Sequence, residues 1–216
     1  MHLNQNPEKE GSVAVPCRGQ LILVQQTELT TRQAKAAGVR LDAPNYTTCM
    51  NPVATEQDTY PVTCLQPRDL KEVATQFASA APAVDMMDGV EFGPWSLPTW
   101  EESLCIQREA NGYSSSQLPN LEWYMDGKRL SLTKLLPAHA GCTGHQLCHV
   151  FGNVAELVYS DLRGYGLAGG NYLTDVEVDN GPIDVQIRSI SFEPASSHYA
   201  TTPLWGLRLV RRPEQL

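Results

Sequence analysis

The sequence has few clustered positive charges and no long hydrophobic run, and each absence excludes a class of function. Its 16 Lys and Arg residues are outnumbered by 24 Asp and Glu, the net charge is −8, and no basic cluster is longer than Arg211-Arg212. Nucleic-acid binding depends on clustered basic side chains that release counterions from phosphates, so we expect no nucleic-acid partner. The longest apolar run covers only residues 21–24. We therefore expect no membrane-spanning helix, which needs about 20 apolar residues.

Recognisable catalytic signatures are also absent. No Ser/His/Asp array, phosphate-cradling glycine loop or paired-carboxylate motif occurs with the spacing that such chemistry requires. The first six residues show neither the cationic segment nor the apolar core of a signal peptide, so we expect the front of a mature, secreted chain.

Six cysteines are spread along the chain, at positions 17, 49, 64, 105, 142 and 148. An even number with scattered spacing favours disulfides, and therefore an oxidising compartment, periplasmic or extracellular. The alternative is six buried thiols that pack as small hydrophobic side chains in a reducing compartment.

Composition predicts one folded domain with many loops. The 216 residues, 42% of them hydrophobic, suffice for one sizeable core, and 16 glycines with 15 prolines indicate little regular structure. We expect a flexible polar lead-in over residues 1–15 and a single α+β domain over residues 16–216.

The best helical pattern follows Pro67. Leu70, Val73, Ala74 and Phe77 have the i, i+3, i+4, i+7 spacing of one buried helix face. The sequence therefore predicts an amphipathic helix here.

Two further stretches begin with a capping residue. Thr99 suits an N-cap, with Glu102 three residues later as its capping-box partner, and predicts the second regular helix. Thr30 or Thr31 predicts a short helix that runs through Ala37 and stops at the following glycine.

Residues 139–149 contain His139, Cys142, His145, Cys148 and His149. Three histidines and two cysteines this close could wrap a transition metal. The same spacing lets Cys142 and Cys148 close a tight disulfide loop. The two interpretations exclude each other because oxidised cysteines supply no thiolate, and the four other cysteines favour the disulfide.

Four short motifs carry a family resemblance. Residues 96–102 (SLPTWEE), 152–156 (GNVAE), 168–172 (AGGNY) and 205–208 (WGLR) resemble, in this order, the RLPTEAEW, GNVWEW, RGGSW and GFR motifs of the formylglycine-generating (sulfatase-modifying factor) family. The resemblance implies a loop-rich α+β variant of the C-type lectin fold, with two helices and small antiparallel sheets. Arg208, in the last motif, is interpreted as a core-edge arginine that bonds backbone carbonyls.

The family's copper-dependent oxidase activity is not expected in this chain. In the oxidase members, the strand with the RGGSW motif leads into two cysteines that bind copper and attack the substrate. The corresponding residues 173–179 (LTDVEVD) contain no cysteine. Since the thiolate is both the nucleophile and the metal ligand in that chemistry, oxygen side chains cannot replace it.

The resemblance also implies a calcium ion. Many family members hold one in the region that corresponds to Asn153 and Glu156, with an Asp or Asn three residues before the glycine of the motif. Here that position is His149, a poor ligand for a cation that takes hard oxygen ligands. The alternative is that Asn153 and Glu156 satisfy backbone amides of the loop.

Three functions compete on this fold. The one we expect is a non-catalytic envelope module that contacts another envelope protein, similar to the periplasmic accessory protein of the type VI secretion phosphorylation pathway. The alternatives are a periplasmic enzyme of the siderophore-maturation type and a metal-dependent oxidase built on the cluster at residues 139–149. Fold alone does not choose among them.

Four aromatic side chains are predicted to contact the partner. They lie in stretches that depart most from the family motifs, and aromatic residues of these types often supply the main contacts of interfaces. They are Trp123, Tyr124, Tyr199 and Trp205.

Overall fold

The computed structural model describes residues 11–39, 41, 57–65, 67–110, 138, 147–150, 153–169, 188–189 and 205–214. Within these ranges the chain is mixed α+β, as predicted. Its elements are, in order, β1 Ser12–Cys17, β2 Gln20–Gln25, α1 Thr31–Ala36, a 3₁₀ helix Gln57–Thr59, α2 Pro67–Ala80, β3 Asp85–Met87, β4 Val90–Phe92, α3 Trp100–Ala110, β5 Ala155–Ser160, β6 Gly164–Ala168, β7 Arg188–Ser189, β8 Trp205–Gly206 and β9 Val210–Arg211.

The first sheet joins the two ends of the described chain. Its strand order is β1-β2-β9, and both pairings are antiparallel. β1 begins at Ser12 and Val15 is fully buried. The predicted boundary of the lead-in at residue 15 was therefore wrong for residues 12–15, because their backbone pairs with β2 and Val15 enters the core.

The second sheet has the order β7-β6-β5-β8. β5 and β6 form an antiparallel hairpin, and β8 adds to β5 in parallel, with Glu156 opposite Gly206. A separate two-stranded hairpin consists of β3 and β4. The sheets are small, as predicted, but the β5–β8 pairing departs from the expected antiparallel arrangement.

Three helices are present in the described ranges, one more than the two regular helices expected. The predicted face of α2, Leu70, Val73, Ala74 and Phe77, is buried in the main core. The third helix is α1, whose short pattern of six residues was recognisable mainly from its cap. Gly38 follows it with φ +77°, as a helix stop requires.

The capping box predicted for α3 is confirmed, and α1, for which only an N-cap at Thr30 or Thr31 was predicted, has a capping box at Thr30 as well. At α1, the Gln33 amide donates to Thr30 Oγ1 at 3.2 Å and the Thr30 amide donates to Gln33 Oε1 at 2.9 Å. At α3, the Glu102 amide donates to Thr99 Oγ1 at 3.1 Å and the Thr99 amide donates to Glu102 Oε2 at 2.7 Å. Each box pairs two backbone donors that the first turn leaves unsatisfied.

Disulfides join the elements, as the cysteine count predicted. Cys17 of β1 is bonded to Cys105 of α3, and Cys64 and Cys148 are disulfide-bonded too. The predicted partner of Cys148, Cys142, lies outside the described residues, so that pairing stays a prediction. In the part of the chain that the structure describes, no helix is both long and apolar enough to cross a membrane.

Candidate functional site

Three arginines within residues 208–212 bond this segment to distant parts of the chain. Arg212 forms a bidentate ion pair with Glu102 of α3. Its Nε donates to Oε1 and its Nη2 donates to Oε2, each at 2.6 Å. Arg211 donates from Nη1 to the carbonyl oxygens of Pro82 and Gly93, both at 3.0 Å. Arg208 is the most deeply buried of the three.

Arg208 makes four hydrogen bonds inside the protein. Its Nε donates to Glu156 Oε1 at 2.6 Å, and its Nη1 donates to the carbonyls of Gln25 and Gln26 at 2.8 and 2.7 Å. Its Nη2 donates to the carbonyl of Cys148. This confirms the interpretation of Arg208 as an arginine that bonds backbone carbonyls.

A second buried carboxyl lies beside this arginine. Glu28 accepts a hydrogen bond at Oε1 from Asn153 Nδ2 at 3.0 Å, and its Oε2 has no partner among the described residues. Glu28, Asn153, Glu156 and Arg208, all buried, are called the Arg208 cluster below. It combines two carboxyl groups with one guanidinium.

Burial decides the protonation of these carboxyls. Burial raises the pKa of Glu28 well above its usual range, the Arg208 charge lowers it in part, and the nearby Glu156 raises it further. Burial also raises the pKa of Glu156, against the lowering effect of the Arg208 charge and hydrogen bond. We therefore assign the ionised carboxylate to Glu156, in contact with Arg208, and the proton to Glu28.

Two motif glycines are required by close packing around this cluster. At Gly169, where φ is +82°, a Cβ would clash with the carbonyl oxygen of Val150. At Gly206, a Cβ would overlap the Val154 side chain. The glycines of the AGGNY and WGLR motifs thus have an architectural role, as does the left-handed backbone of Asn153, whose φ is +52°.

The Arg208 cluster does not suit calcium. Glu156 presents one oxygen to a guanidinium that already supplies the compensating positive charge, and Asn153 turns its amide nitrogen, which cannot bind a cation, toward Glu28. Within the described ranges, no group of three or more His, Cys, Asp or Glu could hold a metal ion. Calcium at Asn153 and Glu156 stays a prediction, and the geometry weighs against it.

The other predicted site residues are only partly within the described chain. His149 is buried, with φ +53°, and Cys148, as a disulfide, supplies no thiolate to a metal. Trp205 is half-buried and packs against the main core. The remaining ones lie outside the described residues: Trp123, Tyr124, His139, Cys142, His145 and Tyr199.

An open cleft lies elsewhere, between α1 and the end of α2. It has a volume of about 580 Å³ measured out to the solvent, and none of the residues that the structure places around it is charged. Phe77, Trp95 and Gln25 are its buried residues, and Gln33 and four alanines form its sides. We call it the α1–α2 cleft.

Sequence reasoning missed this cleft because its residues form no motif. Gln25, Phe77 and Trp95 stand far apart in the chain and meet only in the fold. Gln33 carried the one usable signal: as the partner of Thr30 in a capping box, its side-chain oxygen had to be occupied, which leaves its amide nitrogen for something else.

Comparison with known proteins adds little to this geometry. No protein-family model matches the sequence, and no curated protein does either. A solved structure described as "Crystal Structure of CarF" resembles the chain with a TM-score of 0.48 and 16% identity, over 95% of this chain and 97% of that one. A likeness at this level carries no conclusion about function.

Proposed function

We propose that this chain is a non-catalytic binding module of the cell envelope that acts by contact with another protein. Its disulfides support the location. The bond from Cys17 to Cys105 spans 88 residues, and Cys64 and Cys148 each take part in a disulfide. Because such bonds persist mainly in oxidising compartments, they favour a periplasmic or extracellular module.

The observation that carries the proposal is the exposed apolar surface of the β3–β4 hairpin. Met86 is 60% exposed, and Val84 is exposed two residues before it. Val90 is exposed on the opposite face of the hairpin, where it pairs with Met87. Methionine adapts its shape to a partner and is enriched at protein interfaces. An apolar group on an exposed hairpin is therefore a suitable protein contact.

The hairpin is firmly attached to the scaffold, which suits a contact surface. Phe92, at its base, is buried and forms a bridge with Pro213. The Gly93 amide donates to the Arg212 carbonyl at 2.8 Å, and the Glu214 amide donates to the Glu91 carbonyl at 2.9 Å. A surface held in one shape loses less conformational entropy when it binds.

The test is retention of envelope proteins by the immobilised wild-type chain and by Met86→Glu. We expect the main retained protein to fall about tenfold or more with Met86→Glu, since a charge replaces an apolar contact. The melting temperature should not change, because Met86 is exposed.

The matched control is Leu162→Glu, since Leu162 is 96% exposed on the β5–β6 turn, away from the hairpin. This variant should retain the partner like the wild type. Equal retention by Met86→Glu and the wild type, or equal loss with both variants, would show that the hairpin is not the contact.

A further inference from the structure

We propose that the α1–α2 cleft binds an apolar group that carries a carbonyl or carboxylate oxygen. The cleft shares no residue with the β3–β4 hairpin, so this inference goes beyond the proposed protein contact and stands without it.

The first argument is that the two glutamine side chains of the cleft accept hydrogen bonds through their oxygens and keep their nitrogens as donors. Gln25 Oε1 already accepts from the Leu209 amide at 2.9 Å. Gln33 Oε1 already accepts from the Thr30 amide at 2.9 Å and from Thr30 Oγ1 at 3.0 Å. These bonds fix both side-chain amides, so what each glutamine has left is its Nε2 donor.

The second argument concerns the access of these donors. Neither Gln25 Nε2, Gln33 Nε2 nor Trp95 Nε1 makes a hydrogen bond within the described part of the chain. None of the three is among the side-chain atoms that are both sealed from solvent and unbonded, so each keeps some exposure to solvent. A ligand oxygen in the cleft could satisfy these N–H groups.

The third argument is the apolar and rigid surface around the donors. Trp95 is buried, and the Arg211 guanidinium lies 4.7 Å from its ring centre. Hydrogen bonds from Arg211 to the carbonyls of Pro82 and Gly93 hold that guanidinium in place. Phe77 supplies a second aromatic surface, and the small side chains of Ala36 and Ala80 leave the space open. Such a surface suits an aromatic or aliphatic group of the ligand.

Ligand-observed NMR with three probes tests the chemistry. Phenylpropanoate presents a carboxylate, N-acetylphenylalanine amide presents the carbonyls of a peptide, and phenylpropylamine has a similar apolar body but an ammonium donor. We expect saturation transfer to one or both of the acceptor probes and much less to the amine. The probe with the larger signal distinguishes an organic acid from a peptide segment as the source.

Two substitutions locate the binding. Gln33→Glu keeps the oxygen that accepts from Thr30 and removes the Nε2 donor, so the cap survives while phenylpropanoate binding falls about tenfold or more. Ala80→Leu fills the cleft from an exposed helix position and should abolish binding of every probe. Ser79→Leu is its control, because Ser79 is an exposed neighbour outside the cleft.

Three results would overturn the proposal. They are equal binding of the amine and the acceptor probes, no binding of any probe at millimolar concentration, and an equal loss with Ser79→Leu and Ala80→Leu. Thermal unfolding of each variant separates lost binding from lost folding. Retention of the partner protein by these same variants shows whether the hairpin contact survives when the cleft is closed.

Discussion

The Arg208 cluster and the α1–α2 cleft are opposites in charge and in access. The cluster holds ionisable groups that are buried and bonded to one another and to backbone carbonyls. The cleft is neutral and open, and the side-chain N–H groups of Gln25 and Trp95 beside it have no partner in the described chain. The comparison suggests a division of roles. Polar groups that hydrogen-bond to one another inside the protein stabilise the fold, whereas polar groups that keep an unused donor can bind a ligand.

Gln25 contacts the Arg208 cluster and also lines the cleft. Its backbone carbonyl accepts from Arg208, and its side-chain oxygen accepts from the Leu209 amide. Its side-chain nitrogen makes no hydrogen bond within the described chain. Both oxygens of Gln25 thus accept hydrogen bonds inside the protein, whereas its side-chain nitrogen remains a donor without a partner in the described chain.

The largest effect should come from Arg208→Met. This change leaves two buried carboxyls without a positive charge and takes one hydrogen-bond donor from each of three carbonyls, so we expect a loss of about 3–5 kcal/mol of unfolding free energy. Denaturant unfolding measures it. Arg32→Met, on the exposed side of α1, should cost less than about 0.5 kcal/mol.

A loss below about 1 kcal/mol of unfolding free energy for Arg208→Met would contradict the stabilising role assigned to the Arg208 cluster. A second variant sharpens it. Adding Glu156→Leu to Arg208→Met removes the unpaired charge, and part of the lost stability should return.

Sequence reasoning could predict the local structure around these regions and not the regions themselves. Both capping boxes and the buried face of α2 depend on residues within one or two helical turns, so their spacing is visible in the sequence. Glu28 and Asn153 meet across 125 residues. No local pattern predicts that contact.

The family motifs located the cluster but did not give its chemistry. Asn153, Glu156 and Arg208 were all singled out, yet calcium was the expectation for two of them, because the position of the guanidinium relative to Glu156 depends on the pairing of β5 with β8. The cleft had even less sequence signal. Donors at an open edge can be satisfied by water, so no particular residue type has to stand opposite them.

The second prediction concerns the pH dependence of stability, through Glu28→Gln. The folded pKa of Glu28 is raised, so its contribution is fully present below the unfolded pKa, about 4.3, and is lost as pH rises toward the folded pKa. In that window the unfolded state releases a proton that the folded state keeps. The cost approaches about 1.4 kcal/mol per pH unit for one proton.

Glu28→Gln keeps the oxygen that accepts from Asn153 and cannot ionise. We therefore expect its unfolding free energy to rise relative to the wild type between acid and neutral pH, in urea unfolding series at several pH values. Glu109→Gln, at an exposed position of α3, should run parallel to the wild type. Parallel curves for Glu28→Gln as well would mean that Glu28 titrates alike in both states and is not sealed from solvent.

The smallest effect should be that of calcium. A sealed cluster that already contains its own cation has little to gain from another: Arg208 Nε lies 2.6 Å from Glu156 Oε1, and a calcium ion at the same oxygen would face the guanidinium charge. A ligand that binds only the folded state raises the melting temperature in proportion to the logarithm of its concentration over its Kd. We expect no shift across a millimolar calcium titration. A rise in melting temperature that a chelator reverses, and that Glu156→Gln abolishes, would support the calcium prediction and would show that the Arg208 cluster opens to solutes. An unchanged melting temperature, together with saturation transfer to phenylpropanoate, would show that the α1–α2 cleft binds a ligand and the Arg208 cluster does not bind calcium.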